Sequence, residues 1–124
     1  MGQRRICIGD VHGHYDTLMA LLELVAPGTE DAVYFLGDLI DRGPESDRVT
    51  EFLQQPWFYS CLGNHEYILL KYFYRQEAQL ADAWQQVGGD WFFLLSDDEQ
   101  AEIAHAIESH CPTLMTVQQP QQTV

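Results

Sequence analysis

Three short clusters in this sequence each set residues that could bind a metal or move a proton directly after a glycine. They are Gly9-Asp10-Val11-His12-Gly13, Gly37-Asp38-Leu39-Ile40-Asp41-Arg42-Gly43 and Gly63-Asn64-His65-Glu66. Asp10 and His12 are two apart, so in a turning segment both can face one crevice and offer a hard oxygen and a borderline nitrogen. Asp38 adds a carboxylate able to bridge two ions, and Asn64 a neutral carbonyl oxygen. This mixed N/O set suits Mn, Fe or Zn rather than a thiolate-loving metal. Two divalent ions held side by side can clamp an in-line displacement at phosphorus. Arg42 carries the planar fork that grips phosphate oxygens in pairs. His65 is placed to protonate a leaving oxygen, with Asp41 as the acceptor that fixes its tautomer.

These clusters need elements that bring them together. Each is preceded by a short apolar run, Arg5 to Ile8, Ala32 to Leu36 and Trp57 to Leu62, which reads as a strand. Leu18, Leu21, Leu22 and Val25 fall at helical spacing before Pro27-Gly28, and Pro44 opens a stretch with Val49, Phe52 and Leu53 on one face. The order strand, helix, strand, helix, strand predicts an α/β fold with a mainly parallel sheet flanked by helices. In such a sheet the carboxyl ends of the strands share one edge, where ligands bind, so the three clusters converge there.

Further on, Glu66 to Trp84 reads as one long helix. Ser96-Asp97-Asp98-Glu99 is a capping box that opens another, running toward His110 and ended by Pro112. Thr113 to Val117 has the character of a further strand. Residues 118–124 are a polar, glutamine-rich tail with nothing to bury, which makes 1–117 the structured part.

A net charge of −13, with 6 Lys and Arg against 19 Asp and Glu, argues against nucleic acid and anionic membranes as partners. All the basic side chains lie at or before Arg75, so a phosphate must be met locally. Cys7, Cys61 and Cys111 lack zinc-type spacing, and Cys7 and Cys61 sit in apolar runs where buried free thiols are ordinary. No apolar signal core follows the basic start and no apolar stretch reaches membrane-spanning length; the expectation is a soluble, cytoplasmic protein.

Plainer readings exist for several of these residues. Asp41-Arg42-Gly43-Pro44 also fits a surface turn, and Asn64-His65 also fits a helix cap. His14 reads as an exposed first-turn residue, and His105 and His110, five apart, do not share a helix face and read as solvated. Trp84, Trp91, Phe92 and Phe93 read as core rather than as a stacking platform.

Taken together, the three clusters resemble the GDxHG, GDxxDRG and GNHE signature of the phosphoprotein phosphatase branch of calcineurin-like metallophosphoesterases. Trp84-Gln85-Gln86-Val87-Gly88-Gly89-Asp90-Trp91-Phe92 is similar to a Trp and Gly-Gly segment of bacterial serine/threonine protein phosphatases and diadenosine tetraphosphate hydrolases, with Val87 in place of Asn. The resemblance implies the amino-terminal part of that sandwich fold. It implies that Asp10, His12 and Asp38 hold one divalent ion, with Mn favoured and Fe, Zn or Ni also accommodated. Asp38 and Asn64 then begin a second site that lacks its later histidines. By the same resemblance Arg42 binds phosphate, His65 with Asp41 acts on the leaving group, and Glu66 supports them. The implied reaction is hydrolysis of phosphoserine or phosphothreonine in proteins, or of a small phosphoester, by metal-activated water. A diadenosine tetraphosphate hydrolase and a non-catalytic, shortened metal- or phosphate-binding relative are the alternatives. The chain is further expected to be weakly active or inactive and to self-associate through apolar surface around Trp57, Phe58 and Tyr59.

Overall fold

A computed structural model of the chain describes residues 4–113. Its centre is a three-stranded sheet of order β1-β2-β3, with β1 Arg5–Ile8, β2 Ala32–Phe35 and β3 Tyr59–Ser60. Both pairings are parallel, with Ile6 opposite Val33 and Phe35 opposite Ser60. A parallel pair needs a long crossover, and α1 (Tyr15–Val25) and α2 (Val49–Leu53) occupy the two crossovers. Then follow α3 (Asn64–Tyr74), α4 (Leu80–Trp84), α5 (Asp90–Phe93) and α6 (Asp97–His110).

The period-two alternation of the strands sorts their side chains. Val33 and Phe35 are buried with Leu18 and Leu22 of α1, Phe52 and Leu53 of α2, and Ile103 and Ile107 of α6. Phe58 belongs to this core, stacked on Phe35 with ring centroids 4.0 Å apart. It therefore leaves the exposed apolar patch expected around it, of which Trp57 and Tyr59 remain. On the opposite face of the sheet Arg5, Cys7 and Tyr59 are exposed. Cys7 is thus not a buried thiol, because no layer of the described residues covers its side of β1. Cys61 is half-buried and Cys111 is the buried cysteine, its thiol pushed up to about 12 by burial and then by Glu66 and Cys61 nearby.

Several expected elements hold, including the capping box. Ser96 Oγ accepts from the Glu99 N–H at 3.2 Å, and Glu99 Oε1 accepts from the Ser96 N–H at 3.2 Å. Others differ. The third strand is two residues long rather than spanning Trp57 to Leu62. Leu21, grouped with the apolar face of α1, is exposed. The long helix from Glu66 to Trp84 is broken after Tyr74, where Gln76 takes a left-handed φ of +54° and the chain restarts at Leu80. No helix among the described residues is long and apolar enough to cross a membrane. The expected strand at Thr113 to Val117, from residue 114 on, and the polar tail at 118–124 lie outside the described residues.

Candidate active site

The three clusters occupy the loops after β1 and β2 and the turn into α3 after β3, so the parallel sheet delivers all of them to its carboxyl edge. Backbone bonds stitch the first two loops together. The His12 N–H donates to the Asp38 carbonyl at 2.9 Å and the Gly13 N–H to the Leu39 carbonyl at 2.9 Å. Gly43 is needed because a Cβ there would collide with the His12 carbonyl oxygen. Tyr15, fully buried, donates its hydroxyl to the Leu39 carbonyl at 3.0 Å and props the second loop from below.

Glu66 joins the second loop to the third. Its fully buried carboxylate accepts from the N–H groups of Asp38 at 2.7 Å, Leu39 at 2.9 Å and Gly63 at 3.0 Å. Burial raises its pKa, opposed by those backbone donors. Glu66→Gln places an amide donor against one of these N–H groups and should cost about 1–3 kcal/mol of stability, the desolvation cost of an unmade buried bond. Urea unfolding checks this, and an unchanged midpoint would mean that the loops do not depend on the bridge.

Among the described residues seven non-glycine positions have positive φ, and five of them are site candidates: Asp10 (+43°), His12 (+44°), Asp38 (+54°), Asp41 (+75°) and Arg42 (+74°). Such backbone costs about 1–3 kcal/mol per residue and concentrates where ligands are held. One ligand atom each from Asp10, His12 and Asp38 lies within 4.8 Å of the others. The His12 Nδ1 lies 2.8 Å from the Ile40 carbonyl, which can only accept. Nδ1 therefore carries the proton, and Nε2, 4.0 Å from Asp10 Oδ2, presents its lone pair to the same space. A carbonyl-oriented imidazole with two carboxylates fits a hard-to-borderline divalent cation. Asn64 is exposed at the first position of α3. The helix cap is Gly63 rather than Asn64, because Asp38 Oδ1, from the neighbouring loop, takes the His65 N–H at 3.1 Å.

His65 sits against this centre, its ring edge-on to that of His12 with centroids 4.7 Å apart. Its Nδ1 is 2.7 Å from Oδ2 of the fully buried Asp41. The Asp41-Arg42 turn is no mere surface turn: the Asp41 N–H donates to Ser46 Oγ at 3.0 Å, and Ser46 Oγ donates to the Gly43 carbonyl at 3.1 Å. Arg42 is exposed, and its guanidinium meets no carboxylate among the described residues, leaving its fork for an anion. By contrast Arg48 is tied up by Asp16, Glu45 and Glu51.

His14, His105 and His110 are exposed, as expected for a first-turn residue and for two histidines that share no helix face. The sequence reading missed the two tryptophans. Trp84 Nε1 donates to Asp41 Oδ2 at 2.7 Å and Trp91 Nε1 to Asp41 Oδ1 at 2.7 Å. Their signal lay in the Trp-flanked Gly-Gly segment, whose family resemblance assigns no role to the two indoles.

A family model described as calcineurin-like phosphoesterase matches residues 4–115. The serine/threonine-protein phosphatase 2 of Escherichia coli strain K12 is 45% identical over 96 residues, which cover 77% of this chain and 43% of that protein. The symmetrical bis(5'-nucleosyl)-tetraphosphatase of Legionella pneumophila strain Corby is 37% identical over 100 residues, covering 65% of this chain and 34% of that protein. A crystal structure of a presumed diadenosine tetraphosphatase superposes with a TM-score of 0.55 at 31% identity, covering 81% of this chain and 41% of that one. The chain thus spans less than half the length of each relative.

Proposed function

The chain belongs to the calcineurin-like phosphoesterases, and on that footing we propose that it forms the metal- and phosphate-binding edge of a divalent-metal-dependent phosphatase acting on phosphoserine and phosphothreonine in proteins. The observation that carries this is one juxtaposition. Ligand atoms of Asp10, His12 and Asp38 gather within 4.8 Å, the His65–Asp41 pair stands against them, and Arg42 is held in the same loop as Asp38 and Asp41.

Asp10, His12 and Asp38 would hold a divalent ion, which when bound would supply Lewis-acid charge and lower the pKa of water; their oxygen and nitrogen donors suit manganese. Arg42 takes two phosphate oxygens and sets the ester in line. His65, oriented through Nδ1–H by Asp41, acts in its doubly protonated imidazolium form: it gives the Nε2 proton to the departing serine or threonine oxygen and is left as the neutral ring protonated on Nδ1. Asp38 and Asn64 begin a second ion site. Among the described residues no other group of three His, Cys, Asp or Glu gathers for a metal, so one tight ion per chain is the expectation.

The second reading, hydrolysis of diadenosine tetraphosphate, has support in the similarity to tetraphosphatases. The Escherichia coli protein phosphatase keeps its 45% identity over 77% of this chain, against 65% of the chain for the Legionella tetraphosphatase, and this longer match favours the first. Manganese-loaded chain given a phosphoserine peptide and diadenosine tetraphosphate in separate reactions decides between them. The expected result is the larger kcat/KM on the peptide, and turnover confined to the dinucleotide would overturn the choice.

A further inference from the structure

The segment from the last residue of α4 into α5 reaches the site in three places. Trp84 and Trp91 each donate an indole N–H to Asp41 at 2.7 Å, and the Arg42 N–H donates to the Gly88 carbonyl at 3.1 Å. Between the two tryptophans the chain kinks, with non-helical backbone at Val87 and at Gly88, whose φ is +103°. A Cβ on Gly88 would collide with the Arg42 backbone, and one on Gly89 with the Trp84 indole. The Gly-Gly pair therefore lets this segment lie flat on the Asp41-Arg42 loop. Core packing alone does not require two indoles, seven positions apart, to aim their polar atoms at the two oxygens of one carboxylate.

We propose that Trp84 and Trp91 are positioning residues for the reaction proposed above, an indole clamp that fixes the Asp41 carboxylate and thereby the orientation of His65. An indole nitrogen can only donate, so both Asp41 oxygens are committed as acceptors. The His65 Nδ1 at Oδ2 must then be the N–H donor, which leaves Nε2 as the nitrogen that faces substrate. Three donors converge on one fully buried carboxylate, and their short contacts hold it in a single rotamer. The clamp touches neither substrate nor ion, and it acts through Asp41.

The test has two arms, because the inference rests on the proposed phosphatase reading. In the first, the chain is labelled with 15N-tryptophan, giving three indole signals, from Trp57, Trp84 and Trp91. Trp84→Phe and Trp91→Phe assign two of them. In the unmutated chain both assigned N–H groups should exchange slowly with deuterium, and Asp41→Asn should move both while leaving the Trp57 signal in place. If either indole exchanges as fast as Trp57, or if Asp41→Asn moves neither, the clamp does not exist. The second arm measures turnover: each Trp→Phe variant should lose roughly ten-fold in kcat on a phosphoserine peptide, a fraction of a full general-acid contribution, and less on p-nitrophenyl phosphate, with KM unchanged. Equal losses on both substrates, together with a lowered melting temperature, would reduce the tryptophans to core. An unmutated chain that hydrolyses neither substrate would defeat the phosphatase reading and leave the spectra to decide the clamp.

Discussion

Replacing His65 with Ala is expected to slow hydrolysis of a phosphoserine peptide by about 10²–10⁴-fold, the usual worth of a positioned general acid. The loss on p-nitrophenyl phosphate should be much smaller. The difference follows from the leaving groups: a serine alkoxide departs poorly unless protonated, whereas nitrophenolate departs unaided. The geometry supports the assignment, since His65 Nδ1 is bound to Asp41 at 2.7 Å and its ring lies edge-on to His12 at 4.7 Å between centroids. The comparison also separates the proposed role from its rivals. A His65 that held an ion or bound the phosphate would serve both substrates alike, so equal losses would assign it to binding rather than to proton transfer.

The parts of this site that could be read from sequence are those that depend on strand ends. Asp10, Asp38 and Asn64 each follow a strand by a few residues through a glycine, and a parallel sheet leaves such residues nowhere to go but its carboxyl edge. Convergence of the ligands needed no knowledge of side-chain packing. The support beneath them did. Trp84 and Trp91 lie 43 and 50 residues from Asp41, and their approach depends on the break after α3 and the turn at Gly88, neither of which has a simple periodic signal. No Gly or Pro marks the break between Arg75 and Gln79; it is Gln76 that takes the left-handed conformation. The plainer reading of Asn64 as the cap of α3 does not hold for a similar reason, because the His65 N–H is satisfied by Asp38 from another loop rather than by the local Asn64. The exposure of Cys7 and the burial of Phe58 likewise depend on which face of the sheet the helices cover.

The largest effect on binding is expected at the ion site. Asp10 and His12 supply two of the three gathered ligand atoms, and both hold left-handed backbone that fixes their direction. His12 is further oriented by the Ile40 carbonyl, so its Nε2 lone pair is pre-set for an ion rather than found by chance. Losing residues that merely orient metal ligands typically costs 10–100-fold in affinity, so removing two ligands outright should cost at least about 100-fold. The measurement is a calorimetric titration of manganese into the unmutated chain and into the Asp10→Ala, His12→Ala double variant, with circular dichroism showing both folded. The predicted result is one dominant site in the first and no measurable heat of binding in the second. An isotherm that is the same for both would contradict the placement of the ion at the sheet edge, and with it the metal-dependent chemistry proposed for this chain.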